Sequence, residues 1–248
     1  MSRKLLAVLL FAAAVAAPFV ARSETDEDRA IADSLAAMLR AGRSVISESQ
    51  PAINDPKGGP KGLSGDAVLA RAVAAYKKST GVDPTSLDPN TRQGRLLAKE
   101  MAAIKEVVDA NQSTIEAEGT GFKGFIPAVF ARLVGETFNK SAAGEAELRV
   151  TAPPELVRNR KSRPDTWELK VIADDFRAPT WTKGQSYEAV VDQEGRKLYR
   201  IAVPEYYSQS CLACHGAPKG ETDITGYPKE GASLGDLGGV ISIKLTHG

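Results

Sequence analysis

The chain is expected to fold as an α+β protein, and three observations lead there. Apolar residues recur at helical spacing through the first half. Short runs rich in β-branched residues, separated by Gly, Pro, Asp and Asn, fill the second half. Between two of those runs, Asp192-Gln193-Glu194-Gly195 suits a tight antiparallel turn. Helices that precede the strands, instead of alternating with them, pack on one face or end of an antiparallel sheet. There is no internal repeat and no low-complexity segment.

Residues 1–23 read as a secretory signal peptide. Arg3 and Lys4 precede an apolar stretch from Leu5 to about Val20, and Ala21-Arg22-Ser23 follows as a small-x-small cleavage site. The stretch is short for a transmembrane helix, so a periplasmic or otherwise exported protein without a membrane span is expected after cleavage. An uncleaved anchor is the alternative.

Residues 24–140 are expected to be helical. Thr25, followed by Asp26, Glu27 and Asp28, suits a helix start, with acids near the positive end of the dipole. Ile31, Leu35, Met38, Leu39, Val45 and Ile46 form its stripe, and Pro51 limits it. A second helix is predicted from Ser64 or Gly65 to Lys78, stopped by Gly81. A third starts near Asp88-Pro89 and carries Leu97, Met101, Ile104, Val108 and Ile115 to about Glu118. Phe125 to Phe138 is a fourth.

Residues 141–248 are expected to form the sheet domain, with 24–248 as one folded unit. The predicted strands are Glu147–Thr151, Trp167–Ile172, Ser186–Val191, Lys197–Val203 and Gly239–Leu245.

Charge excludes one class of function. Lys and Arg number 32 against 31 Asp and Glu, a net +1. Removing residues 1–23 takes away Arg3, Lys4 and Arg22 and no acid, leaving 29 basic against 31 acidic groups, a net −2. Such a chain has no basic surplus for a nucleic-acid backbone.

Cys211-Leu212-Ala213-Cys214-His215 carries the chemistry. Cys-x-x-Cys-His spacing reads as a site of covalent haem c attachment, with each thiol bonding one vinyl group and the imidazole reaching the iron as proximal ligand. The chain has two Cys and two His in all, and three of these four stand in this pentapeptide. Export agrees independently, because haem c is attached outside the energy-transducing membrane. A thioredoxin-like dithiol would open a helix of a βαβ unit, whereas Gly216, Pro218 and Gly220 follow here. Zinc needs four ligands, and only His247 remains beyond the motif.

Around that pentapeptide stand Arg158-Asn159, Pro164-Asp165-Thr166-Trp167-Glu168, Tyr199-Arg200, and Gly235-Asp236-Leu237-Gly238-Gly239 before a final strand. This ordered set resembles a family of exported haem c proteins with a PAS-like fold, long catalogued as a domain of unknown function. The resemblance covers most of the mature chain. It implies an N-terminal helical segment packed with a PAS-like antiparallel sheet that carries one haem c, and a role in sensing redox state or small ligands. In well-described relatives the sixth iron ligand is a cysteine late in the first helix, and the resemblance implies the same position here. The corresponding stretch here, Ser44 to Pro51, has none, so thiolate ligation is excluded. Arg160 stands where the family often has Pro.

His247, Met38 and Met101 are the remaining candidate sixth ligands. His247 is penultimate, and Met38 and Met101 lie on apolar stripes, where methionine usually fills core. Lysine, water or an open or weakly filled position are the other options, with the open position leading. Tyr206 and Tyr207 are candidates for the haem edge or a propionate, with ordinary packing as the alternative. Arg158, Arg163 and Arg200 are candidate propionate partners or solvated charges. Trp167 and Trp181 read as core. The Gly- and Pro-rich stretch from Gly216 to Gly239 reads as a long loop wrapping the cofactor.

The expectation is an exported haem protein that senses redox state or a diatomic ligand (O2, NO or CO). About thirty residues follow the motif, so the signal would pass to a separate redox or signalling partner protein. A small periplasmic electron-transfer cytochrome c is the alternative, and a haem-free dithiol redox protein the lesser one. An enzyme is not expected: a peroxidase or nitrogen-oxide reductase needs a distal acid or base, and two histidines leave little for that role.

Overall fold

The computed structural model describes residues 23–247. Residues 1–22 of the expected signal peptide lie outside the described residues; its last residue, Ser23, is described.

Four long helices build the first layer. α1 spans Glu24–Glu48. Its cap is Ser23, whose hydroxyl accepts from Asp26 N at 3.2 Å, two residues earlier than Thr25. Pro51 does not end the helical path but sits in the first turn of the one-turn helix α2, Gln50–Ile53, where its missing N–H costs nothing. α3 spans Gly65–Thr80 between its cap Ser64 and Gly81, whose φ of 75° is the left-handed stop expected of glycine. α4 spans Arg92–Ala110 and starts later than Asp88-Pro89. The true cap is Thr91, which accepts from Gly94 N at 3.1 Å. α4 ends where the Asn111 side chain turns back onto Val107 O at 2.7 Å, and the single turn α5, Gln112–Ile115, follows. α6 spans Pro127–Ala142.

The second layer is one antiparallel sheet in the order β1-β4-β3-β2, from β1 Ala146–Thr151, β2 Tyr187–Gln193, β3 Arg196–Tyr206 and β4 Leu237–Thr246. The β2–β3 turn is closed by Glu194 and Gly195, with φ of 56° and 76°. Positive φ at both positions matches the twist of the strands.

The predicted strand Trp167–Ile172 is instead helical: α7, Thr166–Lys170, followed by a π-helical turn, Val171–Phe176. Local hydrogen bonds override the β-branched run. Glu168 N donates to Asp165 Oδ1 at 2.9 Å, and Asp165 N donates to Glu168 Oε2 at 2.8 Å, a closed capping box. The fold is therefore α+β with four strands among the described residues, not five.

Strand alternation puts Tyr199, Ile201, Val203, Ile241, Ile243 and Leu245 on the face covered by the long helices. That core runs from Ile31 to Leu245, so helices and sheet share one apolar interior. The opposite face presents Ala202 and Val240 to Val171, Ile172 and Phe176, with Trp167, Trp181, Tyr187 and Leu237 around them. Arg200 is buried there against the Trp167 ring, 4.2 Å from its centroid, and reaches Asp165 at 2.8 Å.

Candidate functional site

The pentapeptide lies beyond the end of β3. Tyr206 ends β3, Tyr207 leaves the sheet, a short turn carries Gln209–Cys211, and α8, Leu212–His215, holds the rest in a single helical turn. One helical turn puts Cys211 and Cys214 on the same side. Both thiols are free and partly exposed, and Cys211 Sγ lies 3.3 Å from Ser208 Oγ. Burial pushes the Cys214 thiol up, with Asp223 adding to it. Gly216 is required by space: a Cβ there would lie 2.6 Å from Leu212 O, the carbonyl that closes this turn.

His215 is held on one nitrogen. Its Nδ1 lies 2.8 Å from Glu230 Oε2 and 3.3 Å from Tyr207 Oη, and the Tyr207 ring stacks on it at 4.8 Å and 23°. Burial opposes the Glu230 charge, yet hydrogen bonds from Arg158 and His215 hold its carboxyl below the usual range. An ionised carboxylate only accepts, so Nδ1 carries a proton and Nε2 is the nitrogen left to face a ligand. Nε2 makes no hydrogen bond among the described residues, and the side chain is 26 % accessible. Burial, then Glu230, pushes the Tyr207 phenol up to about 12, so it stays neutral.

Arg158 organises the far side. Its Nε and Nη2 donate to the two Glu230 oxygens at 3.0 and 3.1 Å, Nη2 also reaches Cys214 O at 3.0 Å, and Nη1 donates to Asp223 Oδ2 at 2.6 Å. Burial would raise Asp223, but hydrogen bonds from Thr225, Arg158 and the Tyr227 backbone hold it well below the carboxylate range. The segment after Gly216 folds back as a tied flap. Lys229 N donates to Glu221 O, Ala232 N to His215 O and Gly235 N to Tyr207 O, at 2.8, 2.8 and 2.9 Å.

Other candidates fall elsewhere. Tyr206 turns away: its hydroxyl accepts from Gly184 N at 3.1 Å and Lys183 covers its ring. Arg200 is bound in the Asp165–Glu168 cluster, and Arg163 offers its carbonyl to Arg149 at 2.6 Å. His247 stands at the opposite end of β4, about 30 Å from the site at 3.3 Å per residue. There its Nδ1 lies 2.6 Å from Asp28 Oδ2. Met38 is sealed in the helix–sheet core, and Met101 packs against the same core from α4. The part of α1 that does meet the motif is Ser47, whose hydroxyl lies 3.4 Å from Ser210 Oγ. Met38 and Met101 thus fill or pack on the core, and His247 pairs with Asp28, so the structure brings none of these three candidates together with His215.

Glu230 and Asp223 were missed in the sequence. Glu230 lies fifteen residues beyond His215 in a Gly-rich loop with no periodicity, and only the flap's backbone pairing brings it back.

Among the described residues no group of three or more His, Cys, Asp or Glu side chains forms a metal cage. An iron here would have to be held through one imidazole and a covalent ring. The free Nε2 and the two unbridged thiols on one turn fit that arrangement. No helix of the described residues is long and apolar enough to cross a membrane.

No curated protein and no solved structure matches the chain. A family model described as Tll0287-like (Tll0287) matches residues 22–246, which takes in the helical layer, the sheet and the Cys211–His215 turn. The chain belongs to the Tll0287-like family.

Proposed function

We propose that this protein is an exported c-type haem protein with a PAS-like architecture, and that it senses redox state or a diatomic ligand through an iron whose sixth position is open or weakly held. The observation that carries this reading is the hydrogen-bonding of His215. Glu230 holds Nδ1 and leaves Nε2 without a bond, beside two free thiols on the same helical turn. A proximal haem ligand needs one nitrogen anchored by an outer group and the other bare. Haem, when bound, would supply a one-electron couple and a site for a small ligand.

The chain's own residues divide the work. Cys211 and Cys214 would tether the ring, and Tyr207 would keep the imidazole from rotating. The flap 216–236 would exclude water from one edge. Ser44–Glu48 of α1 offers hydroxyls, a carboxylate and aliphatic groups but neither thiol nor imidazole, which favours an open position over a firm one. The haem-free dithiol reading fares less well, because the motif lies on a four-residue turn beside an antiparallel sheet and does not open a helix of a βαβ unit.

Intact mass after co-expression with a haem c maturation system tests this. The protein should carry one haem that survives denaturation, and Cys211→Ser with Cys214→Ser should lose it. A wild type that matures without covalent haem would sink the proposal.

A further inference from the structure

We propose that Glu230 is a positioning residue that lowers the reduction potential of the iron by placing a fixed negative charge behind the proximal imidazole. The inference rests on the haem c reading of Cys211–His215 and goes beyond it by assigning the control of potential to a residue outside the motif.

The geometry is specific. Glu230 Oε2 is 2.8 Å from His215 Nδ1, while both carboxylate oxygens are clamped by Arg158. Arg158 is in turn fixed by Asp223, whose side chain is inaccessible to solvent. The carboxylate thus cannot swing away, and the Tyr207 ring prevents the imidazole from doing so. Glu230, Arg158 and Asp223 together carry a net charge of −1, so the arginine does not cancel the field at Nδ1. A backbone carbonyl at this place would fix the same tautomer without a charge. A carboxylate acceptor makes the imidazole a stronger donor at Nε2, which stabilises ferric over ferrous iron. Losing an outer partner of a metal-bound imidazole typically changes metal affinity or activity about ten- to a hundredfold.

The experiment is a spectroelectrochemical titration of the matured, haem-bearing full chain and of Glu230→Gln, which keeps the shape and an acceptor oxygen but loses the charge. At a fixed applied potential the ferrous-to-ferric ratio of Glu230→Gln should rise about tenfold or more, an upward shift of about 59 mV per factor of ten for a one-electron couple. The iron–imidazole stretching frequency of the reduced form should fall with it. Glu221→Gln, an exposed carboxylate on the same flap paired with Lys229, should move neither. Glu230→Asp keeps the charge at a longer reach and should fall between wild type and Glu230→Gln; it carries the test if the Gln variant does not mature. Equal potentials in wild type and these Glu230 variants, with haem attached, overturn this inference alone. A wild type without covalent haem overturns the reading beneath it as well, so the two failures are distinguishable.

Discussion

At the scale of single residues, four titratable side chains around the motif are shifted by burial or by hydrogen bonds. Burial lifts the Tyr207 phenol and the Cys214 thiol, and hydrogen bonds depress Glu230 and Asp223. Asp223 has a folded-state pKa below its unfolded value. Its contribution is therefore fully present above about pH 4 and is lost as pH falls through the folded value. Asp223→Asn should flatten the acid limb of the stability curve below pH 4, read from urea midpoints; an unchanged acid limb would contradict this. Glu100 has the opposite sign. It is fully buried in α4 with both carboxylate oxygens unpartnered, and desolvation raises its pKa well above the usual value. Its folded state takes up a proton that the unfolded state has released, so stability should fall as pH rises above about 4.3 by about 1.4 kcal/mol per unit until the folded value is crossed. Glu100→Leu should remove that slope above pH 5. Retention of the slope would show that another group causes it. At this scale the spacing of Cys211, Cys214 and His215 is what singles them out in the sequence. Glu230 and Asp223 were not, because a flap with no repeating pattern brings them to the site.

At the scale of elements, apolar periodicity located the four long helices and four of the strands, while hydrogen-bonding side chains decided the boundaries. Ser23 displaced Thr25 as a cap, and Thr91 displaced Asp88. The Asp165–Glu168 box turned a β-branched run into α7. That run is short enough for either period, so only the Asp-x-x-Glu pair distinguished them. Asp165→Ala removes the cap and an Arg200 partner together, at 2.8 Å from its Nη2. It should cost about 1–2 kcal/mol in chemical denaturation, at the upper end for a lost cap. A cost near zero would mean that the box does not hold α7. In the same way Gly216→Ala places a Cβ against Leu212 O and should deform α8. The expected outcome is a reduced yield of attached haem with the far-UV dichroism of the long helices intact; an unchanged yield would show that the turn tolerates the side chain.

At the scale of the whole molecule, a shared interior joins helices and sheet, and the two ends of the sheet do different things. At one end Asp28 of α1 is inaccessible and lies between Arg92 and His247, which ties the end of β4 to the first helix. His247→Ala should cost about 1–3 kcal/mol by leaving Asp28 short of a buried partner, and should leave any haem spectrum unchanged. A spectral change would contradict its placement about 30 Å from His215. At the other end Ser47 of α1 meets Ser210 beside Cys211, so the first helix reaches both ends of the sheet. Fold class was legible because periodicity reports layers. Which end of the sheet each candidate ligand occupies was not, because that depends on strand order.

The most direct test of the proposed haem with an open iron position is the absorption spectrum of the matured protein, oxidised and reduced, with and without carbon monoxide. The expected result is a haem c spectrum whose reduced form is high-spin and shifts on adding carbon monoxide. A low-spin reduced form that carbon monoxide leaves unmoved would contradict the open site and favour electron transfer, and a spectrum with no haem bands would contradict the account at its root.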